Sequence, residues 1–270
     1  MEDVEHAREL LAAGAERSRQ LLGLVGNLDR AALEAPSELP GWTRLTIVCH
    51  LRYGTHALLR MTRDALAGRP TSYYSEGRAA QRPGTLRPAP GESPARVVVD
   101  WADGAERLDD LWATLADEDW STTVVEPPGS PDLGEVPLAR LSLARLTELD
   151  VHGTDLDIGA PDWSSSLVRI GLPTRLRWLS TRRTNHRPFD ASIQGSWILD
   201  AHDGPRWFVE VARAGVTSRP ALDTDDAAAT ISASSRDLLA LLLGRRCTAE
   251  PILGGDAELA RSFPSAFPGP

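Results

Sequence analysis

The sequence contains no lysine, and all 29 of its basic residues are arginine. It has two cysteines, Cys49 and Cys247, which lie far apart and form no CxxC motif. Neither a disulfide framework nor a thiolate metal cluster is therefore expected. Cys49 adjoins His50, but neighbours on a helix point about 100° apart and rarely ligate one ion together. Cys49 is read instead as a small buried apolar side chain. No apolar run approaches the ~20 residues that cross a bilayer, and Leu238 to Leu243, the greasiest stretch, is far too short. Met1-Glu2-Asp3 lacks the basic flank and apolar core of a signal peptide, so the cytoplasm is the expected compartment and no membrane is an expected partner. A formal charge of −9 makes a poor general phosphate binder, which argues against nucleic acid. One local basic run remains, Arg182 and Arg183 with His186 and Arg187. The missing lysine, with many Ala, Gly and Pro, suggests a GC-rich coding sequence of the actinobacterial kind; that concerns the genome, not the mechanism.

What is present reads first as helices. One amphipathic segment runs from about Asp3 to Gly26, with Val4, Ala7, Leu11, Ala15, Leu22 and Val25 on one face. A second follows Pro40-Gly41-Trp42, with Thr43 as N-cap and a stop near Gly68. A third begins at Ser93-Pro94 and turns Val98, Ala102, Ala105, Leu108, Trp112 and Leu115 inward. A fourth opens near Pro137 and ends near Gly159-Ala160-Pro161. The stretch from Arg69 to Glu92 is a long loop rich in Pro, Gly and Arg. Four long helices with one or two long crossovers predict an antiparallel four-helix bundle.

After Pro161 the pattern changes. Leu167–Ser180 reads as a helix whose start Pro173 obscures. Ala191–Leu199 and Trp207–Ala214 read as strands joined by the turn His202-Asp203-Gly204-Pro205. Ala227–Ser232 suggests a third strand, and Arg236–Leu243 a helix closed by Gly244. The tail from Phe263 onward is expected to fray. The fold class is α+β, with a bundle domain over 1–161 and a small α+β domain over 162–270.

The chemistry begins on the fourth helix. Leu138, Leu141, Arg145, Glu148, His152 and Asp155 follow steps of three and four and share a face. The leucines say that this face points inward, so Glu148, His152 and Asp155 stand where a plain bundle places leucines. Burying an unpaired carboxylate costs several kcal/mol, and a cation is the simplest partner. On the second helix His50 interrupts the apolar line of Ile47, Gly54, Leu58 and Met61, and Gly54 leaves space beside it. If both faces meet, His50, Glu148 and His152 form a two-histidine, one-carboxylate set with an open position for water or substrate. Such a set takes zinc, and equally iron(II), manganese or nickel. On pattern alone, a solvated Glu–His pair and a hydrogen-bonded core histidine remain open.

A resemblance bears on that choice. Leu39-Pro40-Gly41-Trp42-Thr43 followed by Cys49-His50-Leu51 resembles the GWT…HL signature of DinB-like metal-binding bundles. Thr147-Glu148-Leu149-Asp150-Val151-His152-Gly153-Thr154-Asp155-Leu156 resembles their TExxxHGxDL signature. Together these segments are similar to the mycothiol-dependent maleylpyruvate isomerase family. The C-terminal segment from Ile231 to Leu239, then Leu243-Gly244-Arg245, looks like the closing motif of that family's small α+β domain. Thr154 stands where many relatives carry tryptophan.

The resemblance implies a divalent metal, zinc first, on His50, Glu148 and His152, and mycothiol as co-substrate. A free thiol has pKa about 8.5, and a coordinating zinc deprotonates it. It further implies that Arg245 holds substrate carboxylates, against the alternative of a cation beside a helix C-terminus. Asp155 either orients a ligand or is a helix-end charge. Arg78 and Arg82 either reach the thiol's polar sugar or belong to a solvated loop, and Trp42 packs where the second helix begins or touches the pocket. The leading expectation is a thiol S-transferase of secondary metabolism or detoxification, acting on a small-molecule electrophile. Alternatives are a cis–trans isomerase of maleylpyruvate-type diacids and a non-catalytic bundle with a structural metal. Monomer and dimer are both compatible.

Overall fold

Thr43 begins the helix that carries His50. Its hydroxyl accepts from the Thr46 N–H at 3.1 Å, filling one of the donor positions that a helix start leaves open. The helix ends at Ala67, and Gly68 follows at φ +71°, a left-handed conformation that suits glycine. Ser93 caps the third long helix and Pro94 occupies its first turn. This computed structural model describes residues 2–125, 135–179, 192–213 and 215–267. The basic run at Arg182, Arg183, His186 and Arg187, and the expected strand start at Ala191, lie outside them.

The elements are α1 (Glu2–Gly26), α2 (Arg30–Glu34), α3 (Arg44–Leu66), α4 (Arg78–Thr85), α5 (Pro94–Ala113), β1 (Thr123–Val125), β2 (Glu135–Pro137), α6 (Ala139–Asp155) and α7 (Ser165–Arg177). They continue as β3 (Gly195–Ala201), β4 (Arg206–Ala212), β5 (Gly215–Pro220), β6 (Ala229–Ala233), α8 (Ser235–Leu242), β7 (Ile252–Gly255) and α9 (Ala257–Ala266). Contacts divide the chain into Met1–Leu167 and Val168–Pro270. Residues just beyond Pro161 stay with the first unit. Arg17 donates to the carbonyls of Pro161 and Asp162, and Asp150 accepts from the N–H and hydroxyl of Ser164.

The first unit is a DinB-like four-helix bundle. Its α1 packs on α5 and α6, and α3 packs on the same two helices, which sets α1 and α3 on a diagonal. One apolar cluster gathers Leu58, Met61, Leu108, Trp112 and Trp120, and another gathers Leu21, Ile47, Leu51, Trp101 and Leu149. The inner faces of α1 and α5 are rotated from the expected ones. In α5 the buried line is Val97, Trp101, Ala105, Leu108 and Trp112, so Val98 and Ala102 sit at its margin. In α1 it is Ala7, Leu10, Gly14, Arg17, Ser18, Leu21 and Val25, because Arg17 and Ser18 find polar partners on α6 and its flank. The loop from Arg69 to Glu92 contains α4, where Ala79, Ala80 and Gln81 favour helix. Among the described residues no helix is long and apolar enough to cross a membrane.

The second unit is a small α+β fold. Its five-stranded sheet has the order β5-β4-β3-β6-β7. Strands β3 and β4 form the expected antiparallel hairpin around His202–Pro205, with Ile198 opposite Phe208, and β6 lies parallel to β3 on its other side. From Phe263 to Phe267 the chain packs rather than frays, and residues 268–270 of the expected tail lie outside the described ones. Phe263 and Phe267 are 1% and 5% exposed and meet the Trp197 ring edge-on at centroid distances of 5.7 and 6.2 Å. The Trp197 indole also donates to the Leu259 carbonyl at 3.0 Å.

Candidate metal centre

Helices α3 and α6 bring His50, Glu148 and His152 to one point, with one ligand atom from each lying within 4.8 Å of the others. The same carboxylate oxygen, Glu148 Oε2, stands 2.9 Å from His50 Nε2 and 3.3 Å from His152 Nε2. The imidazole centroids are 4.9 Å apart and the rings nearly perpendicular, at 88°. Ligands held about 2 Å from one tetrahedral ion stand about 3.3 Å apart, so these separations suit a single divalent cation. The donor set, two imidazoles and one carboxylate, suits zinc and its first-row neighbours. Both histidine side chains are close to nine-tenths buried, while Glu148 keeps 46% of its side-chain surface on the open side of the cluster.

The electrostatics follow from this enclosure. Burial holds the His50 imidazole below its ordinary value, and hydrogen bonding to Glu148 only partly offsets it. For His152 burial pulls downward too, but the carboxylates of Asp155 and Glu148 prevail and push it up to about 9. Burial works against the Glu148 carboxylate, yet hydrogen bonds from His152 and His50 hold it well below the usual range. A metal requires neutral imidazole, so its binding would release the His152 proton.

Asp155 lies beneath His152, its Oδ2 2.9 Å from Nδ1. That contact fixes the ring so that Nε2 faces Glu148, the arrangement in which a ligating histidine is steered by a carboxylate behind it. His50 has no such support, since its buried Nδ1 has no hydrogen-bond partner among the described residues. Trp42 forms a wall, parallel to His152 within 11° at 6.1 Å and edge-on to His50 at 5.8 Å. The Arg82 guanidinium lies over the Trp42 ring at 5.7 Å, so α4 reaches this wall. Arg78 instead lies 6.0 Å over Tyr74. Arg245 belongs to the second unit, beyond α8, and donates to the Leu243 carbonyl at 3.1 Å.

Other candidates fall away. His56 faces Asp100 at 3.2 Å and packs on Gly104. Cys49 is fully buried, and burial pushes its thiol up to about 11, which leaves it inert. One side chain escaped the sequence reading. A Cβ at Gly54 would meet the Tyr73 hydroxyl at 2.8 Å, so this phenol fills the notch one turn after His50. The signal was there: two of the three tyrosines, Tyr73 and Tyr74, stand together in the long loop.

The class that fold and site define is a DinB-like helical bundle, followed by a small α+β unit, in which two histidines and a glutamate gathered between α3 and α6 could hold a metal ion. Residues 15–157 match the family described as mycothiol maleylpyruvate isomerase N-terminal domain, and the chain belongs to that family. Two solved structures share the fold, the mycothiol-dependent maleylpyruvate isomerase and a histidine-to-alanine mutant of it. They are 19% and 18% identical to this chain, with TM-scores of 0.67 and 0.66. In each case 92% of this chain and 92% of the other are covered. No curated protein matches the sequence.

Proposed function

We propose that this protein is a metal-dependent enzyme that uses mycothiol to isomerise a maleylpyruvate-type diacid. The observation that carries the reading is the convergence of His50, Glu148 and His152 within 4.8 Å, in a chain of this family. Those three residues would hold the metal, zinc or another divalent ion, and Asp155 would steer His152. When bound, the metal keeps a coordinating thiol as thiolate at neutral pH. The thiolate sulfur bonds to one alkene carbon, and the π pair moves onto the conjugated carbonyl oxygen. Rotation about the resulting single bond and return of that pair expel the thiolate and leave the trans alkene. Thiol is regenerated and no oxidant is needed. Trp42 shields one side of the cluster from water, and Arg82 offers a cation to an anionic or polar group of substrate or thiol. Arg245 remains the motif-based candidate for the substrate carboxylates.

Thr154 stands where many relatives carry tryptophan, a departure that bears on the substrate and not on the metal. Its hydroxyl donates to the Val151 carbonyl and accepts from the Trp163 indole, so it is already engaged. Family and fold support isomerisation better. Purified protein, with its metal content measured, is to be assayed with mycothiol and maleylpyruvate. Thiol-dependent formation of the trans isomer is expected; a stable thioether product would favour transfer. Failure to bind thiol, in a protein that unfolds on metal removal, would leave the metal a structural one.

A further inference from the structure

We propose that the Tyr73 hydroxyl donates a hydrogen bond to a substrate oxygen at this centre, from a notch opened by Gly54. The inference rests on the isomerase reading and deepens it. Gly54 stands one turn after His50, on the same face of α3, and a Cβ there would come within 2.8 Å of Tyr73 Oη. The phenol therefore occupies space beside His50 that another side chain would close. Its placement is fixed from behind. The Tyr73 carbonyl accepts from the Tyr53 hydroxyl at 3.0 Å and from Arg60 at 2.8 Å. Its ring packs against Tyr53 and Tyr74 at centroid distances of 5.5 and 4.9 Å.

The donor itself is unused: among the described residues the Tyr73 hydroxyl makes no hydrogen bond. An anchored phenol with a free O–H beside a cation-binding cluster is built to meet a ligand atom. Burial, reinforced by the Glu148 charge, pushes Tyr73 well above its ordinary value, so it stays protonated. Its target is the oxygen that becomes an enolate as sulfur bonds to carbon and the π pair moves to the carbonyl. The phenol keeps its proton, and the pair returns when the thiolate leaves. A plain packing role would need the ring but not the hydroxyl, and that difference is testable.

Tyr73→Phe keeps the ring and removes the donor. In full-length, metal-loaded protein kcat is expected to fall about 10–100-fold, with metal content, melting temperature and KM for mycothiol unchanged. Calorimetric titration with maleate gives a readout independent of turnover, and its affinity should fall about tenfold. Gly54→Ala should reproduce both losses by displacing the hydroxyl, and should cost nothing further when added to Tyr73→Phe. Unchanged kcat and maleate affinity in Tyr73→Phe would overturn the donor role and leave the isomerase reading standing. A wild-type protein that binds maleate without isomerising the diacid would overturn the isomerase reading, and the affinity ratio alone would then judge Tyr73. Absence of maleate binding by the wild type would overturn the donor role.

Discussion

In the helical unit Arg17, Arg145, Asp150 and Asp155 are all more than nine-tenths buried, whereas β3, β4 and β6 of the sheet unit bury Trp197, Leu199, Trp207, Val209, Val211 and Ile231. Among the described residues the buried charges of the second unit, Arg175 and Asp237, sit on helices and bond to the end of α8 and the segment after it: Arg175 donates to the Leu242 carbonyl, and Asp237 accepts from Thr248 and Ala249. The first unit instead runs charge through its centre. Arg17 pairs with Asp150, and Arg145 pairs with Asp109 and donates to Ser18. Arg145 and Asp150 flank Glu148 on α6. Helices α1 and α5 thus grip α6 through directional polar contacts that fix its rotation and height. A centre that needs two helices in register gains from that; a sheet held by its ladder does not need it.

The sharpest way to break this contrast is to unpair a charge. Asp150→Ala leaves the buried Arg17 charge with only the Pro161 and Asp162 carbonyls as acceptors and removes the acceptor for Ser164, so it should cost about 3–5 kcal/mol in urea unfolding. Replacing both partners, Arg17→Met with Asp150→Leu, should recover most of that loss, since an apolar pair of similar volume avoids the desolvation penalty. Trp197→Ala in the sheet unit should cost a similar 3–5 kcal/mol through the cavity it leaves, with no second substitution of charge able to restore it. If the double replacement is as unstable as Asp150→Ala, the ion pair is not the element that distinguishes the units.

Much of this was legible beforehand, and the gaps have physical causes. Thr43, Gly68 and Ser93-Pro94 mark helix ends because capping is local chemistry, and the structure uses each of them so. The placing of His50, Glu148 and His152 on inward faces was legible because a polar side chain breaks an apolar stripe. The rotation of α1 was not legible, since Arg17 and Ser18 look like surface residues until Asp150 and Arg145 are known to face them. Strands β5 and β7, with sequences GVTSRP and ILGG, lack alternation and exist by pairing with β4 and β6. The approach of Arg82 and Tyr73 to the cluster depends on how a long loop folds back, which no local pattern encodes.

A smaller effect should separate site geometry from stability. Asp155→Asn keeps the shape behind His152 but weakens its hold, so metal affinity should fall about 10–100-fold, read by competition with a chelator, while the melting temperature of the metal-free protein changes little. In the sheet unit the comparable carboxylate is structural. Burial opposes the Asp237 charge, but hydrogen bonds from the Thr248 and Ala249 backbone and the Thr248 hydroxyl hold its carboxyl below the usual range. A folded value below the unfolded one adds stability above the unfolded pKa, about 3.9, and that stability drains away as pH falls through the folded value. Asp237→Asn should therefore flatten the acid limb of a pH–stability curve and lower stability at neutral pH by about 1.5–3 kcal/mol.

The smallest expected effect sets the scale for the rest. Arg8 and Asp117 form an ion pair whose side chains are 60% and 68% exposed, in the same unit as Arg17 and Asp150. Solvent screens such a pair and two long side chains lose freedom to make it, so Arg8→Ala should shift stability by about 0–1 kcal/mol, and less still in high salt. Measured beside Asp150→Ala, it sets an exposed Arg–Asp pair against a buried one in the same unit. Should the exposed pair prove as costly to break as the buried one, desolvation would not be what makes the interior of the helical unit so sensitive, and the contrast with the sheet unit would have to rest on packing alone.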